Sequence, residues 1–302
     1  MPPLDVRELT KDYGTVLGAD GVSFSVEEGE IFGFLGPNGA GKTTVIRTIL
    51  GFLKPTAGTA TVLGADIRDE DALVDAKRHL GYLPDTLSFD EEVTGETVLD
   101  YHGSIKGESR RSELLELFSP PLDRPVRAYS SGNRRMLGIV QAFMHDPDLV
   151  VMDEPTSGLD PLKQERFNEF LQAESEQGTT IFFSSHVLSE VRRVCDRVGI
   201  LREGRLVELA DVERLLEQGG KRVRVQTDEQ ARSELSALDG VVDATTYADG
   251  VQFIYAGPYD RLLDELVKHE IRDVEISEPP LEDVFMHYYG GANGTGGSKT
   301  DA

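Results

Sequence analysis

The sequence contains no tryptophan, only one cysteine (Cys195) and no apolar run that approaches the ~20 residues needed to cross a bilayer. A single cysteine excludes an internal disulfide, and no cluster of Cys and His has the spacing of metal ligands. The 302 residues are nevertheless 39% hydrophobic and 28% charged, which is typical of a folded chain. This length suits one large and one small domain. We therefore expect a folded cytoplasmic protein without a transmembrane helix.

Basic residues are also scarce: 31 Lys and Arg face 54 Asp and Glu, which gives a net charge of −23. Such a field repels phosphate backbones, so we expect no nucleic-acid partner. One interpretation of the excess acid is a solvated surface that confers solubility. The other is adaptation to a very salty cytoplasm, in which ions screen the self-repulsion. The sequence favours the second interpretation, that of a halophile.

Short apolar segments alternate with amphipathic ones up to about residue 210, which predicts an α/β domain. Buried strands are predicted at 30–35, 148–153 and 179–184, because continuous apolar strands lie inside sheets covered on both faces. A helix is predicted to begin near Lys42. The stretch 94–118 is helical in pattern, carries few large apolar residues and is interpreted as a helical insertion on the core.

The order of elements after residue 220 is strand, helix, strand, strand, helix, strand, which is that of ferredoxin-like α+β domains. Residues 290–302 are rich in Gly and Ser and are predicted to be disordered. The predicted domains are therefore 1–218, with its helical insertion at about 86–146, and a small accessory domain at 221–289.

Residues 36–43 read Gly-Pro-Asn-Gly-Ala-Gly-Lys-Thr and match the phosphate-loop pattern between a buried strand and a helix. Glycines let the backbone turn its N–H groups toward phosphate oxygens, and the helix dipole favours the negative charge. A Gly-rich turn that binds nothing is the alternative, and the strand–loop–helix context argues against it. Lys42 would neutralise the β- and γ-phosphates of ATP, and Thr43 would bind Mg²⁺. The predicted nucleotide-binding residues here are Gly36, Pro37, Asn38, Gly39, Ala40, Gly41, Lys42, Thr43 and Thr44.

Two acids end the strand predicted at 148–153. Asp153 stands at its carboxyl end, where ligands of open α/β sheets bind, and a carboxylate there can hold Mg²⁺. Glu154 follows and turns to a different face, so it is the candidate for polarising an attacking water. Two surface acids in an acidic protein would be the alternative, but four apolar residues directly precede Asp153.

The segment Tyr129-Ser130-Ser131-Gly132-Asn133 precedes this acidic pair by about twenty residues and opens a helix. It resembles the LSGGQ signature of ABC ATPases: Ser130 and Gly132 match, whereas Ser131 and Asn133 replace the usual Gly and Gln. A serine and exposed amides at a helix N-terminus also suit an anion. The resemblance implies that residues 130–133 close over the γ-phosphate held by a second subunit.

Further motifs of the family follow in order, and the resemblance covers about residues 4–210. Tyr13 is similar to the aromatic residue that stacks on adenine. Residues 157–160 match the family's D-loop, which implies a role for Asp160 between the two sites of a dimer. His186 matches the switch histidine, and a histidine at a strand's carboxyl end can reach a γ-phosphate.

One motif departs from the family: Asp85 occupies the position where ABC ATPases normally have a Gln that contacts Mg²⁺ and forms a hinge to the membrane partner. A carboxylate can still bind the metal, but it adds negative charge. We retain Asp85 as a metal ligand with Thr43 and Asp153.

The resemblance identifies an ATP-binding and hydrolysing subunit of an ABC transporter. It implies ATP and Mg²⁺ as cofactors, a second copy of the chain as partner, and a separate transmembrane permease that places the chain on the inner face of the membrane. The ending at 278–285 and the small domain resemble subunits of the exporter-like, type-two class. The alternatives are a non-transport ABC ATPase in translation or DNA repair, and a regulatory binder that never turns ATP over.

Overall fold

The computed structural model describes residues 1–214 and 220–277. These residues form two compact units that divide between Ala210 and Asp211, each described by itself below. The predicted boundary at residue 218, the ending at 278–285 and the predicted tail at 290–302 lie outside the described residues. Within the described ranges, no helix is both long enough and apolar enough to cross a membrane.

The first unit contains a six-stranded sheet in the order β10-β9-β3-β8-β7-β6 and a four-stranded antiparallel sheet in the order β2-β1-β4-β5. Strands β9, β3, β8, β7 and β6 run parallel. The strands are β1 (Leu4–Asp12), β2 (Leu17–Val26), β3 (Ile31–Leu35), β4 (Ala57–Val62), β5 (Ala65–Asp66), β6 (Leu80–Leu83), β7 (Leu149–Asp153), β8 (Thr180–Ser185), β9 (Arg197–Arg202) and β10 (Arg205–Asp211). The α-helices are α1 (Lys42–Ile49), α2 (Glu70–Ala76), α3 (Gly95–Lys106), α4 (Arg111–Phe118), α5 (Ser131–Phe143), α6 (Pro161–Glu176) and α7 (Leu188–Val194).

The central strands β3, β7 and β8 are buried at every residue and begin and end within one residue of the predicted segments. Their side chains pack against the antiparallel sheet through a group of phenylalanines. The ring of Phe24 on β2 lies 5.3, 5.4 and 5.6 Å from those of Phe32, Phe34 and Phe182. This packing fixes the carboxyl ends of the parallel strands, where the phosphate loop begins.

The helical insertion predicted at 94–118 is confirmed, and it consists of two helices, α3 and α4. Gly107 ends α3 with a φ of 99° and a ψ of 168°, an extended backbone with positive φ that glycine adopts without a Cβ clash. Its N–H donates to the Gly103 carbonyl. Helix α4 then packs its buried Phe118 against Phe167 and Phe170 of α6.

The second unit confirms the predicted ferredoxin-like order. Its elements are β11 (Lys221–Gln226), α8 (Glu229–Ser236), β12 (Val241–Thr246), β13 (Gly250–Tyr255), α9 (Tyr259–Leu266) and β14 (Asp273–Ser277). The antiparallel sheet has the order β12-β13-β11-β14. Its core is formed by Val223, Val225, Leu235, Val251, Phe253, Tyr255, Leu262 and Leu266.

Candidate functional site

The phosphate loop connects β3 to α1 and is held open by glycines. Gly39 and Gly41 have φ values of 81° and 105°. A Cβ at Gly41 would lie 2.2 Å from the carbonyl oxygen of Gly18, so no larger residue fits there. Because α1 begins at Lys42, its first N–H groups have no helical acceptor and can bind an anion.

Lys42 lies inside this loop and is only 6% exposed. Its ammonium donates to the carbonyl of Gly36 at 2.5 Å and to that of Pro37 at 3.4 Å. It also lies 3.2 Å from Glu154 Oε1, as an ion pair without hydrogen-bond geometry. The buried cation is thus held by backbone oxygens and by the Glu154 carboxylate.

A cavity of about 290 Å³ opens above the loop and brings together most of the predicted site. Tyr13, half-exposed, stands at its edge. The cavity is lined by Tyr13, Val16, Leu17, Gly18, Pro37, Asn38, Gly39, Gly41, Lys42, Thr43, Thr44, Asp85, Asp153 and Glu154. Val16, Leu17 and Gly18 were missed by the sequence analysis, although they follow Tyr13 closely in the chain.

Oxygen donors converge at the carboxyl end of β7. Thr43 Oγ1 donates to Asp153 Oδ2 at 2.9 Å, and Ser184 Oγ donates to Asp153 Oδ1. Asp153 is 2% exposed, and the Asp85 carboxylate lines the same cavity. A hydroxyl and carboxylates are the hard ligands that Mg²⁺ prefers, so the residues present fit that ion.

Glu154 has a left-handed backbone, with φ of 49°, which for a non-glycine residue stores about 1–3 kcal/mol. Its N–H donates to the Ser184 carbonyl at 3.1 Å on neighbouring strand β8. Its Oε2 lies 2.8 Å from Nδ1 of His186, which is half-exposed. The carboxylate is therefore held between Lys42 and His186 and faces the cavity.

Residues 19–157 match the family model described as ABC transporter. The bacitracin transport ATP-binding protein BcrA of Bacillus licheniformis is 32% identical over 95% of this chain and 97% of its own length. The Nod factor export ATP-binding protein I of Mesorhizobium japonicum is 34% identical over 95% of this chain and 86% of its own.

The chain belongs to the ABC transporter ATP-binding family. A solved structure of an ATP-binding subunit of an ABC transporter, 31% identical, superposes with a TM-score of 0.64 over 71% of this chain and 92% of its own. The protein is thus an ATP-binding and hydrolysing subunit of an ABC transporter. These relatives do not favour a role in translation or DNA repair.

The ABC signature residues lie apart from the cavity of their own chain. Ser130 caps α5, and its Oγ accepts from the N–H of Asn133 at 3.2 Å. A Cβ at Gly132 would lie 3.2 Å from the carbonyl oxygen of Gly158, so the signature packs on the D-loop. Ser131 is exposed on the same helix end, next to Gly158. Their role toward a second copy stays a prediction.

The remaining predicted residues shape the site without lining the cavity. Asp160 caps α6: its side chain accepts from the N–H of Lys163 at 3.0 Å and pairs with the ammonium at 2.9 Å. The hydrogen bond from Lys163 holds the pKa of Asp160 below its usual value. Gly36 donates to the carbonyl of Ser185 at 3.2 Å, and the carbonyl of Ala40 accepts from Gly204 at 2.8 Å, which anchors the loop at both ends.

Arg135, a buried arginine on α5, is not among the predicted site residues. It donates to the carbonyls of Pro84 and Asp85, both at 2.8 Å, and to that of Ser157 at 3.2 Å. Burial lowers the pKa of Arg135, and the nearby carboxylates of Asp85, Asp153 and Glu154 oppose that shift. Arg135 thereby links the backbone of Asp85, the residue that replaces the family's usual Gln, to the D-loop.

A second missed residue is Glu190 on α7. Its carboxylate accepts from Ser185 Oγ at 2.7 Å and from the hydroxyl of Thr156. These contacts join the segment after Glu154 to the residue before His186.

Proposed function

We propose that two copies of this chain close over two molecules of ATP with Mg²⁺ and thereby drive a separate permease of the exporter-like, type-two class. The observation that carries this proposal is the Glu154 carboxylate, held 3.2 Å from Lys42 and 2.8 Å from His186 at the mouth of the phosphate loop. A chain that only bound ATP would not need a carboxylate at this point.

Nucleotide binding is assigned to the residues that line the cavity. Tyr13 offers an exposed ring for adenine, and the N–H groups that open α1 face the phosphates. Thr43, Asp153 and Asp85 would hold Mg²⁺, which neutralises charge on the β- and γ-phosphates when bound. Lys42 exchanges its contact with Glu154 for the γ-phosphate, because the phosphate carries the larger negative charge.

That exchange frees the Glu154 carboxylate to accept a proton from an attacking water. His186 then stabilises the charge that develops on the γ-phosphate, because it lies beside the Glu154 carboxylate that orients the water. Ser130, Ser131, Gly132 and Asn133 would contact the nucleotide of the second copy, together with Asp160.

Support for a permease partner comes from the relatives, one of which is named for bacitracin transport and the other for Nod factor export. The alignments cover 95% of this chain, so the likeness extends into the second unit. We place the chain on the inner face of the membrane. The net charge of −23 supports a halophile as the source.

The test is Glu154→Gln, with ATPase rate and ATP-dependent dimerisation measured on the same preparation. We expect turnover to fall by about 10²- to 10⁴-fold, as for the loss of a general base, while ATP produces a dimer on a sizing column. His186→Ala should lower turnover with little change in ATP binding or melting temperature. Lys42→Ala is the control, since it should weaken nucleotide binding itself.

Normal hydrolysis by Glu154→Gln would contradict the role of the carboxylate. A Glu154→Gln protein that binds ATP as a monomer would contradict the two-copy mechanism. Copurification with the membrane protein encoded beside this chain tests the permease partnership separately.

A further inference from the structure

Three side chains that can bind metal lie together in the second unit. They are Glu234 on α8, Glu265 on α9 and His269 in the turn that follows α9. One ligand atom from each lies within 4.8 Å of the other two. The spacing of Cys and His along the chain does not reveal this group, because two of its members are glutamates and Glu234 comes from a different helix.

His269 is the central member of this group and is nine-tenths buried, with 10% of its side chain exposed. Its Nε2 has no hydrogen-bond partner. The nearest acceptors are Glu234 Oε2 at 3.4 Å and Glu265 Oε1 at 3.5 Å, longer than a hydrogen bond of about 2.9 Å. A buried ring nitrogen thus lies between two carboxylates, within ion-pair distance of each but without hydrogen-bond geometry to either.

The two separations match those between ligands of one metal ion. Zinc binds nitrogen and oxygen at about 2.0–2.2 Å, which places neighbouring ligands of a tetrahedron about 3.3–3.6 Å apart. Imidazole together with carboxylate suits zinc, whereas Ca²⁺ and Mg²⁺ take oxygen ligands in larger number. We propose that Glu234, Glu265 and His269 form a zinc site, with water in the fourth position.

Neighbouring groups orient both carboxylates for this role. Gln230 Nε2 donates to Glu234 Oε1 at 3.0 Å, and Lys268 Nζ donates to Glu265 Oε2 at 2.7 Å. In each glutamate one oxygen is therefore occupied and the other faces His269. Such outer contacts commonly orient the ligands of metal sites.

The experiment uses the untagged full-length protein, stripped of metal with a chelator and titrated with Zn²⁺ against a fluorescent zinc chelator. We expect wild type to bind zinc at this site and both His269→Ala and Glu234→Gln to weaken that binding by at least about tenfold. His79→Ala is the matched control, because His79 Nδ1 also lies 3.5 Å from a carboxylate, that of Asp148, but both side chains are exposed. This control should bind zinc as wild type does.

Co²⁺ provides a second measurement, since a four-coordinate site gives visible absorption bands that should disappear in His269→Ala. Glu234 is half-exposed, so we expect Glu234→Gln to leave the fold intact. If His269→Ala unfolds, Glu234→Gln therefore tests the zinc site by itself. The proposal is overturned if wild type binds no zinc, or if Glu234→Gln and His269→Ala bind it as tightly as wild type. In either case His269 contacts the two carboxylates without binding a metal ion.

Discussion

The ion pair between Glu154 and Lys42 predicts that the nucleotide-free site weakens ATP binding. Glu154 Oε1 lies 3.2 Å from the Lys42 ammonium, where the γ-phosphate is expected. ATP must displace this carboxylate and also approach its negative charge. Replacing Glu154 with Gln removes the charge and keeps the shape, so ATP should bind more tightly to the variant than to wild type.

The size of the effect follows from the geometry. Two unit charges 3.2 Å apart attract by about 5 kcal/mol at an effective dielectric of ~20. The pair lacks hydrogen-bond geometry, and Lys42 retains the Gly36 carbonyl at 2.5 Å when Glu154 is replaced. The net gain is therefore at most that of a hydrogen bond to a charged group, about 1.5–3 kcal/mol, or roughly 10- to 150-fold in Kd.

The assay is equilibrium binding of a fluorescent ATP analogue in EDTA, which prevents hydrolysis by wild type. Dilute protein keeps the chain monomeric, so dimerisation adds nothing to the measured affinity. Glu203→Gln is the control, because it makes the same charge change at a side chain that is 85% exposed. Equal affinities for wild type and Glu154→Gln, within twofold, would refute the inhibitory contact.

Two further predictions concern stability. Arg110 pairs with buried Glu174 through two contacts of 2.6 Å and with exposed Glu113 at 2.7 Å. Glu174→Gln should lower the free energy of unfolding by about 3 kcal/mol or more, and Glu113→Gln by less than about 1 kcal/mol, as measured by denaturant titration; equal losses would contradict the role of burial. The charge of −23 predicts a melting temperature that rises from dilute to molar KCl, and a flat or falling curve would reject the halophile interpretation.

The phosphate loop, Asp153 and the signature at residues 130–133 could be recognised from the sequence, because each is a short contiguous motif. The same holds for β3, β7 and β8, since strands covered on both faces must be apolar at every position. The boundary between α3 and α4 could also have been predicted from Gly107. It was not, because the sequence has a helical pattern on both sides of that glycine.

Only the tertiary structure determines which of these residues contact each other. Parallel strand pairing places Glu154 beside Ser184, and the strand ends then bring Lys42, Glu154 and His186 within contact distance. The sequence does not show which side chains contact His269. In the fold its ring faces two carboxylates, one of which comes from another helix. Motifs are readable because they are local in the chain, whereas charge pairing and ligand geometry depend on how elements remote in sequence pack to within a few ångströms.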